Sequence, residues 1–448
     1  MKKLLEQVAS YSAEYLSSLK YRRVGPSEDD LKLLEKLDLP LKDESTDPEE
    51  IIKLLNEVGS KATVGISGGR FFGFVIGGSL PVTVAASWLN TVWDQNAGLF
   101  AGSPIGTVLE EVSLKWLLDI FNLPKESAGA FVTGATMANF TSLSAARNYL
   151  LQKQGWDVES DGLFNAPPID VIVGEEAHPT LFRGLGLLGL GRKRVITVPA
   201  DNQGRMRLDK LPRIDQPTIL CTQAGNVNTG SFDPIKDICK EVQSKDVWIH
   251  VDGAFGIWAA ATKSKKYLTD GIELADSWAT DAHKWLNVPY DSGLAFVRHS
   301  ESLRSALSLT APYLPQGKHR EPSQFVPELS RRSRGIEIWA ALYFLGRKGL
   351  SEMIERTCRH AKRFAEGLSK AGYQILNDVV INQVLVSFGD AETTNKVISE
   401  IQNDGTCWCG GTVWQGKTAM RISISSWATT EEDVEKSLEA MIRIAKKY

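Results

Sequence analysis

Cysteine is scarce and scattered: the chain has five in 448 residues, Cys221, Cys239, Cys358, Cys407 and Cys409. That is neither the density of a disulfide scaffold nor the paired spacing of a zinc ribbon, so they read as reduced thiols. Cys407-Trp408-Cys409 is at most half of a metal site, and among Gly405, Gly410 and Gly411 it reads as strand and turn. An excess of either charge is also missing. Lys plus Arg number 51 against 54 Asp plus Glu, a formal net charge of −3, which gives no broad basic field for nucleic acid. No apolar run approaches the roughly 18 to 20 residues of a membrane span, and Met1-Lys2-Lys3-Leu4-Leu5 passes straight into Glu6 without the apolar stretch of a signal peptide. Repeats and low-complexity tracts are absent. These absences point to a cytoplasmic protein without nucleic-acid, membrane or metal partners.

With 43% hydrophobic and 23% charged residues, the chain can bury a large core and fill two or three domains. Residues 1–80 carry helical spacing (Leu4, Leu5, Val8; then Leu31, Leu34, Leu37; then Ile51, Ile52, Leu55 after Asp47-Pro48) with too little core of their own. Over 81–343, short apolar strands such as 171–173, 218–221 and 247–251 alternate with helical stretches and Gly/Pro turns. That is the pattern of an α/β domain around a mainly parallel sheet. Residues 344–448 read as a small C-terminal α+β domain. A long helix from Ile336 with an interruption at Gly346 leads into it, strands over 383–388 and 420–425 build it, and a capped helix from Thr430 ends it.

The chemistry is concentrated at the ends of the apolar runs. Val247 to Val251 ends in Asp252-Gly253-Ala254, and an aspartate at the C-terminal end of a strand points into the cleft where α/β sheets bind ligands. Asp281-Ala282-His283-Lys284-Trp285 sets a lysine beside a Pro289-Tyr290-Asp291-Ser292-Gly293 turn. A lysine amine attacks an aldehyde only when neutral, a state favoured by desolvation or by a cationic neighbour. Together, lysine and aspartate point to pyridoxal 5′-phosphate, whose aldehyde needs an amine and whose ring nitrogen needs an anion. Thr133-Gly134-Ala135-Thr136 is a strand-to-helix turn of small residues suited to a phosphate. Glu175-Glu176-Ala177-His178 ends another strand with an imidazole that can lie on a ring or donate to a carboxylate. Each feature alone has a bland reading as surface, cap or turn, and the combination is what carries the argument.

The ordered set Thr-Gly-Ala-Thr, Glu-Ala-His, Gly-Asn-Val-Asn-Thr-Gly-Ser-Phe-Asp-Pro, His-Val-Asp-Gly-Ala and Asp-Ala-His-Lys-Trp resembles the group II pyridoxal-phosphate-dependent decarboxylases, from about Arg70 to Trp427. The resemblance implies the fold type I architecture of pyridoxal-phosphate enzymes and a homodimer in which residues 1–80 pack on the partner. It also implies roles. Lys284 links the cofactor, Asp252 pairs with the ring nitrogen, Ala254 packs beneath the ring and His178 stacks above it. Ala135 and Thr136 fall at the phosphate, with His283 beside the lysine. Asn226, Val227 and Asn228 fill a loop that in relatives contacts the cofactor and the substrate carboxylate. Arg421 matches an arginine used against a carboxylate, and Ser330 matches a residue reaching the partner's phosphate. Phe72, Phe74, Val75, Trp93 and Asn96 form a candidate substrate wall that favours an aromatic or large apolar side chain.

Two departures from the family pattern stand out. Asp281 occupies a place where relatives carry a neutral phosphate donor, so Thr280 is expected to donate instead. The loop from Leu314 to Glu328 carries no tyrosine, the residue with which many relatives return a proton to the substrate carbon after carbon dioxide leaves. His319 is the candidate donor within the loop, and Tyr313 lies just before it. The expected reaction is decarboxylation of an L-amino acid to its amine. An aldehyde synthase, a transaminase or a carbon–carbon lyase on the same scaffold are the alternatives.

Overall fold

Seven strands make the main sheet: β1 (Ala128–Val132), β2 (Asp170–Gly174), β3 (Ile196–Val198), β4 (Thr218–Gln223), β5 (Val247–Asp252), β6 (Ser277–Asp281) and β7 (Gly293–Val297). They lie in the order β1-β7-β6-β5-β4-β2-β3. The run from β6 through β5, β4 and β2 to β3 is parallel, while β7 runs antiparallel to both β6 and β1. The expected mainly parallel sheet is therefore present. Every residue of β1, β4, β6 and β7 is buried, as expected of a sheet covered on both faces.

This computed structural model describes residues 1–308 and 319–448. Contacts group the chain into two compact units, one of residues 79–358 and 377–383 and the other of residues 1–78, 359–376 and 384–448. Residues 1–78 thus share a unit with most of the C-terminal segment.

In the first unit, register aligns the strand ends: Gln223 pairs with Asp252 and Asp252 with Ala279, so β4, β5 and β6 finish along one edge. The helix Ala135–Lys153 follows β1 and is buried over most of its length, with Ala138, Asn139, Ser142, Ala145 and Ala146 against the sheet. Gly293 opens β7 directly over the entry to this helix. A Cβ at Gly293 would stand 2.4 Å from the Gly134 Cα, so this close approach requires glycine.

In the second unit, β10 (Gly410–Trp414) and β11 (Lys417–Ser423) form an antiparallel pair. They belong to a four-stranded sheet of order β10-β11-β9-β8, with β8 (Gln374–Ile375) antiparallel to β9 (Gln383–Ser387). The closing helix Glu431–Ala445 starts with a capping box between Thr430 and Asp433, as its sequence predicts. The N-terminal helices Lys2–Ser18 and Pro48–Leu54 bury no residue, and Leu5, Leu16 and Ile51 are exposed. Gly346, a residue of the first unit, breaks the long helix Gly335–Lys370; its φ of 55° is unfavourable for other residues. All five cysteines are buried and none is disulfide-bonded.

Candidate active site

A cavity of about 280 Å³ opens at the C-terminal edge of the main sheet, where doubly wound sheets bind ligands. Its walls come from the turns after five strands. Thr133 to Thr136 follow β1, His178 and Thr180 follow β2, and Gly225 and Val227 follow β4. Ala254 and Phe255 follow Asp252 of β5, and His283 and Lys284 follow Asp281 of β6. Lys284, Asp252, His178, His283, Ala135, Thr136 and Ala254 are thus brought together.

Asp252 is 4% exposed, and its carboxylate is fixed from both sides. Oδ1 accepts the Ala254 N–H at 3.1 Å and Oδ2 accepts the Asn139 side-chain N–H at 3.0 Å. Behind Asn139 runs a buried chain that the sequence analysis missed. Asn139 Nδ2 donates to Asp252, so its Oδ1 accepts from His250 Nε2 at 2.9 Å. That leaves His250 Nδ1 to accept from the Ser277 hydroxyl at 2.9 Å, and Ser277 Oγ in turn accepts the Trp248 indole N–H at 2.9 Å. Each link has a single direction, which places the His250 proton on Nε2. Burial lowers the His250 pKa to about 3, so the ring is neutral at ordinary pH. A signal for this relay was present in the sequence: His250 and Asp252 share one face of β5, and Ala135 and Asn139 share one face of their helix.

His178 is the N-cap of the helix Pro179–Leu187, its Nδ1 accepting the Thr180 N–H and meeting the Thr180 hydroxyl at 2.7 Å. Lys284 Nζ lies 2.9 Å from Asp281 Oδ2, so the lysine's immediate partner is a carboxylate, not the cation that its sequence setting left open. Asp281 Oδ1 accepts the Ala135 N–H at 2.6 Å. His283 accepts the Ser292 N–H on Nδ1 and stacks on Tyr290 with ring centres 4.2 Å apart. Burial lowers its pKa against the opposing pull of Asp281. Thr280 does not substitute as a phosphate donor: it is fully buried and its hydroxyl donates to the Ala254 carbonyl.

Other candidates stand elsewhere. Asn226 and Asn228 do not line the cavity; Val227 does. The Asn226 side chain closes its own turn, accepting the Asn228 and Thr229 N–H groups and donating to the Glu176 carbonyl, a use of asparagine that competes with ligand binding. Asn96 and Ser330 meet at 3.3 Å, and Asn96 Oδ1 also accepts the Gly98 and Arg331 N–H groups. His319 is exposed and stacks on Phe100 with ring centres 3.8 Å apart. Tyr313 and the loop residues 314–318 lie outside the described residues. Trp93 ends the helix Pro81–Trp93 and is exposed.

The other three candidates, with Phe72, belong to the second unit. There Phe72 is buried edge-on to Phe364, Val75 is buried, and Phe74 leans on Trp408. Arg421 faces Gly410 across β10 and β11, and burial lowers its guanidinium pKa.

A family model described as the pyridoxal-dependent decarboxylase conserved domain matches residues 33–389. The chain belongs to the pyridoxal-dependent decarboxylase family. It is 25% identical to an aromatic-L-amino-acid decarboxylase of Bacillus atrophaeus over 99% of this chain and 94% of that protein. It is 28% identical to an acidic amino acid decarboxylase of Xenopus tropicalis over 76% and 68%. The crystal structure of an Oryza sativa protein, TDC, with pyridoxal phosphate and tryptamine superposes with a TM-score of 0.92 at 19% identity, covering 100% of this chain and 97% of that one. That likeness establishes the fold.

This family member is a carboxy-lyase with pyridoxal phosphate as its cofactor. The cavity fits that group in three respects: a lysine amine, a carboxylate held by two N–H donors, and a glycine-entered helix of 19 residues without a side-chain cap. Asp281 is the one group that opposes it.

Proposed function

We propose that the protein decarboxylates an L-amino acid with an aromatic or large apolar side chain, releasing the amine and carbon dioxide, and that it works as a cytoplasmic homodimer. The observation that carries the reaction is the single cavity joining Lys284, Asp252 and His178 at the end of a parallel sheet. Pyridoxal phosphate, when bound, supplies an aldehyde for the substrate amine and a ring that takes up the electrons left by departing carbon dioxide. Lys284 would hold it covalently and yield to the substrate amine. Asp252, positioned by the Ala254 and Asn139 N–H groups, would pair with the ring nitrogen. His178 and Val227 line the same cavity and would help hold the substrate carboxylate in the orientation that lets its bond break.

The side-chain preference rests on the lining. Val227, Ala254 and Phe255 are apolar, the only lysine is Lys284, and arginine is absent among the described lining residues. No arginine or second lysine in this lining offers a partner to a carboxylate on the substrate side chain, which disfavours aspartate and glutamate. The homodimer rests on exposed apolar faces. Trp88, Leu89, Val92 and Trp93 on one helix and Ile105 and Val108 on the next are exposed, as are Leu5, Leu16 and Ile51.

The test is carbon dioxide release from a panel of natural L-amino acids, with products identified. Phenylalanine, tyrosine or tryptophan giving the amine is the expected result. Faster turnover of aspartate or glutamate would overturn the substrate class, and an aldehyde as main product would assign the chain to oxygen-consuming chemistry instead.

A further inference from the structure

Asp281 is 2% exposed, and what surrounds it is a set of groups suited to a phosphate. Its Oδ1 takes the N–H of Ala135, the first residue of the helix Ala135–Lys153, at 2.6 Å. Its Oδ2 pairs with Lys284 Nζ at 2.9 Å. His283 accepts the Ser292 N–H on Nδ1, so the proton of its neutral ring is on Nε2, which stands 3.5 Å from Asp281 Oδ1. Peptide N–H, ammonium and imidazole N–H therefore converge on one carboxylate.

A Cβ on Gly134 would stand 3.4 Å from Asp281 Oδ1 and 3.2 Å from His283 Cε1, so the carboxylate lies directly on the backbone that enters the helix. Gly293 also approaches this backbone closely: a Cβ there would stand 2.4 Å from the Gly134 Cα. The Ala135 N–H has one proton to give, and two anions cannot share it without repulsion in a buried setting.

We propose that Asp281 is a built-in competitor for the cofactor's phosphate: in the cofactor-free protein it holds both the Ala135 N–H and the Lys284 ammonium, and pyridoxal phosphate binds by displacing it from both. The inference rests on the pyridoxal phosphate assignment and adds to it. The carboxylate weakens loading, so the fraction of active enzyme follows cofactor supply.

The experiment is reconstitution of the cofactor-free, full-length protein, wild type against Asp281→Asn and Asp281→Ser. Two ligands are used, pyridoxal phosphate and pyridoxal, which lacks the phosphate. Binding is read from the visible absorbance of the lysine-linked cofactor, bleached by borohydride, and circular dichroism checks that each variant is folded. Asp281→Asn should bind pyridoxal phosphate about tenfold tighter or more, the effect of removing one like-charge contact, and should bind pyridoxal no more tightly than wild type. Calorimetry with inorganic phosphate alone should show binding to the variant at concentrations where wild type binds none.

Equal or weaker pyridoxal phosphate binding in both variants would overturn the inference. An equal gain for pyridoxal would overturn it as well, since it would trace the effect to a released Lys284 and not to the phosphate. If no borohydride-sensitive absorbance forms in wild type or variants, it is the cofactor assignment that fails.

Discussion

Asn139→Leu tests whether the buried relay behind Asp252 has a part in the reaction. The substitution keeps the branching at Cγ and removes two hydrogen bonds, the 3.0 Å bond to Asp252 Oδ2 and the 2.9 Å bond from His250 Nε2. A hydrogen bond to a charged group contributes about 1.5 to 3 kcal/mol. If the whole of the Asp252 bond serves to hold the carboxylate as an anion against the ring nitrogen, its loss lowers kcat by roughly 10- to 150-fold. The Ala254 N–H bond to Oδ1 survives, so the effect should stay below that of Asp252→Ala. Leaving the His250 N–H buried without a partner costs a further ~1 to 3 kcal/mol of folding stability. Stability alone would not distinguish a positioning role from a structural one, so the comparison is with Ser277→Ala, two residues further back on the same chain, behind His250. Turnover at saturating substrate and unfolding by urea are measured on all three variants. The expected order of kcat loss is Asp252→Ala, then Asn139→Leu, then Ser277→Ala, with KM little changed. Turnover of Asn139→Leu within twofold of wild type, or an equal loss for Ser277→Ala, would refute the reasoning.

Lys284→Ala should lose the borohydride-sensitive absorbance and nearly all turnover, because no other amine lines the cavity among the described residues; retained turnover would contradict the assignment. His250 gives a pH prediction. Its pKa is depressed to about 3 in the folded chain and returns to about 6.5 when unfolded, so below pH 6.5 the unfolded state binds the extra proton. Stability should therefore fall as pH drops from about 6.5 toward 3, by up to about 1.4 kcal/mol per pH unit from this group; an equally steep denaturation profile in His250→Gln would count against it. If His319 is the proton donor, His319→Phe should leave substrate binding largely intact, lower amine formation by roughly a hundredfold, as loss of a general acid does, and raise the aldehyde share. An unchanged amine-to-aldehyde ratio would point to another donor. Sedimentation should find a dimer, and an active monomer would contradict the exposed apolar helices as an interface.

The parts of the site that could be read from the sequence are those whose chemistry forces a residue type onto a strand end. Lys284, Asp252, His178 and the Gly134-Ala135 turn each follow an apolar run, and a parallel sheet with aligned register brings such ends to one edge without further information. The relay was harder because it crosses elements. Asn139 lies in a helix and Ser277 opens β6, and nothing local says that they meet His250 from opposite sides. Its traces were the shared face of His250 and Asp252 and the shared face of Ala135 and Asn139, which any alternating strand and any helix would show.

The Asn226 loop shows the limit from the other direction. Its motif marks the right place, since Gly225 and Val227 line the cavity. A motif does not say which way an asparagine points, and here the side chain is taken up by its own turn. Asp281 combines both situations. Its residue type was visible as a departure from the family, and repulsion of a phosphate followed from charge alone. That the same carboxylate would be held by the Ala135 N–H and by Lys284 depends on distances only the fold supplies. Those contacts turn an apparent defect in a phosphate site into a competitor that must be displaced. Charge-neutral replacement at this position is therefore expected to improve cofactor binding, where replacement of an ordinary site residue would impair it.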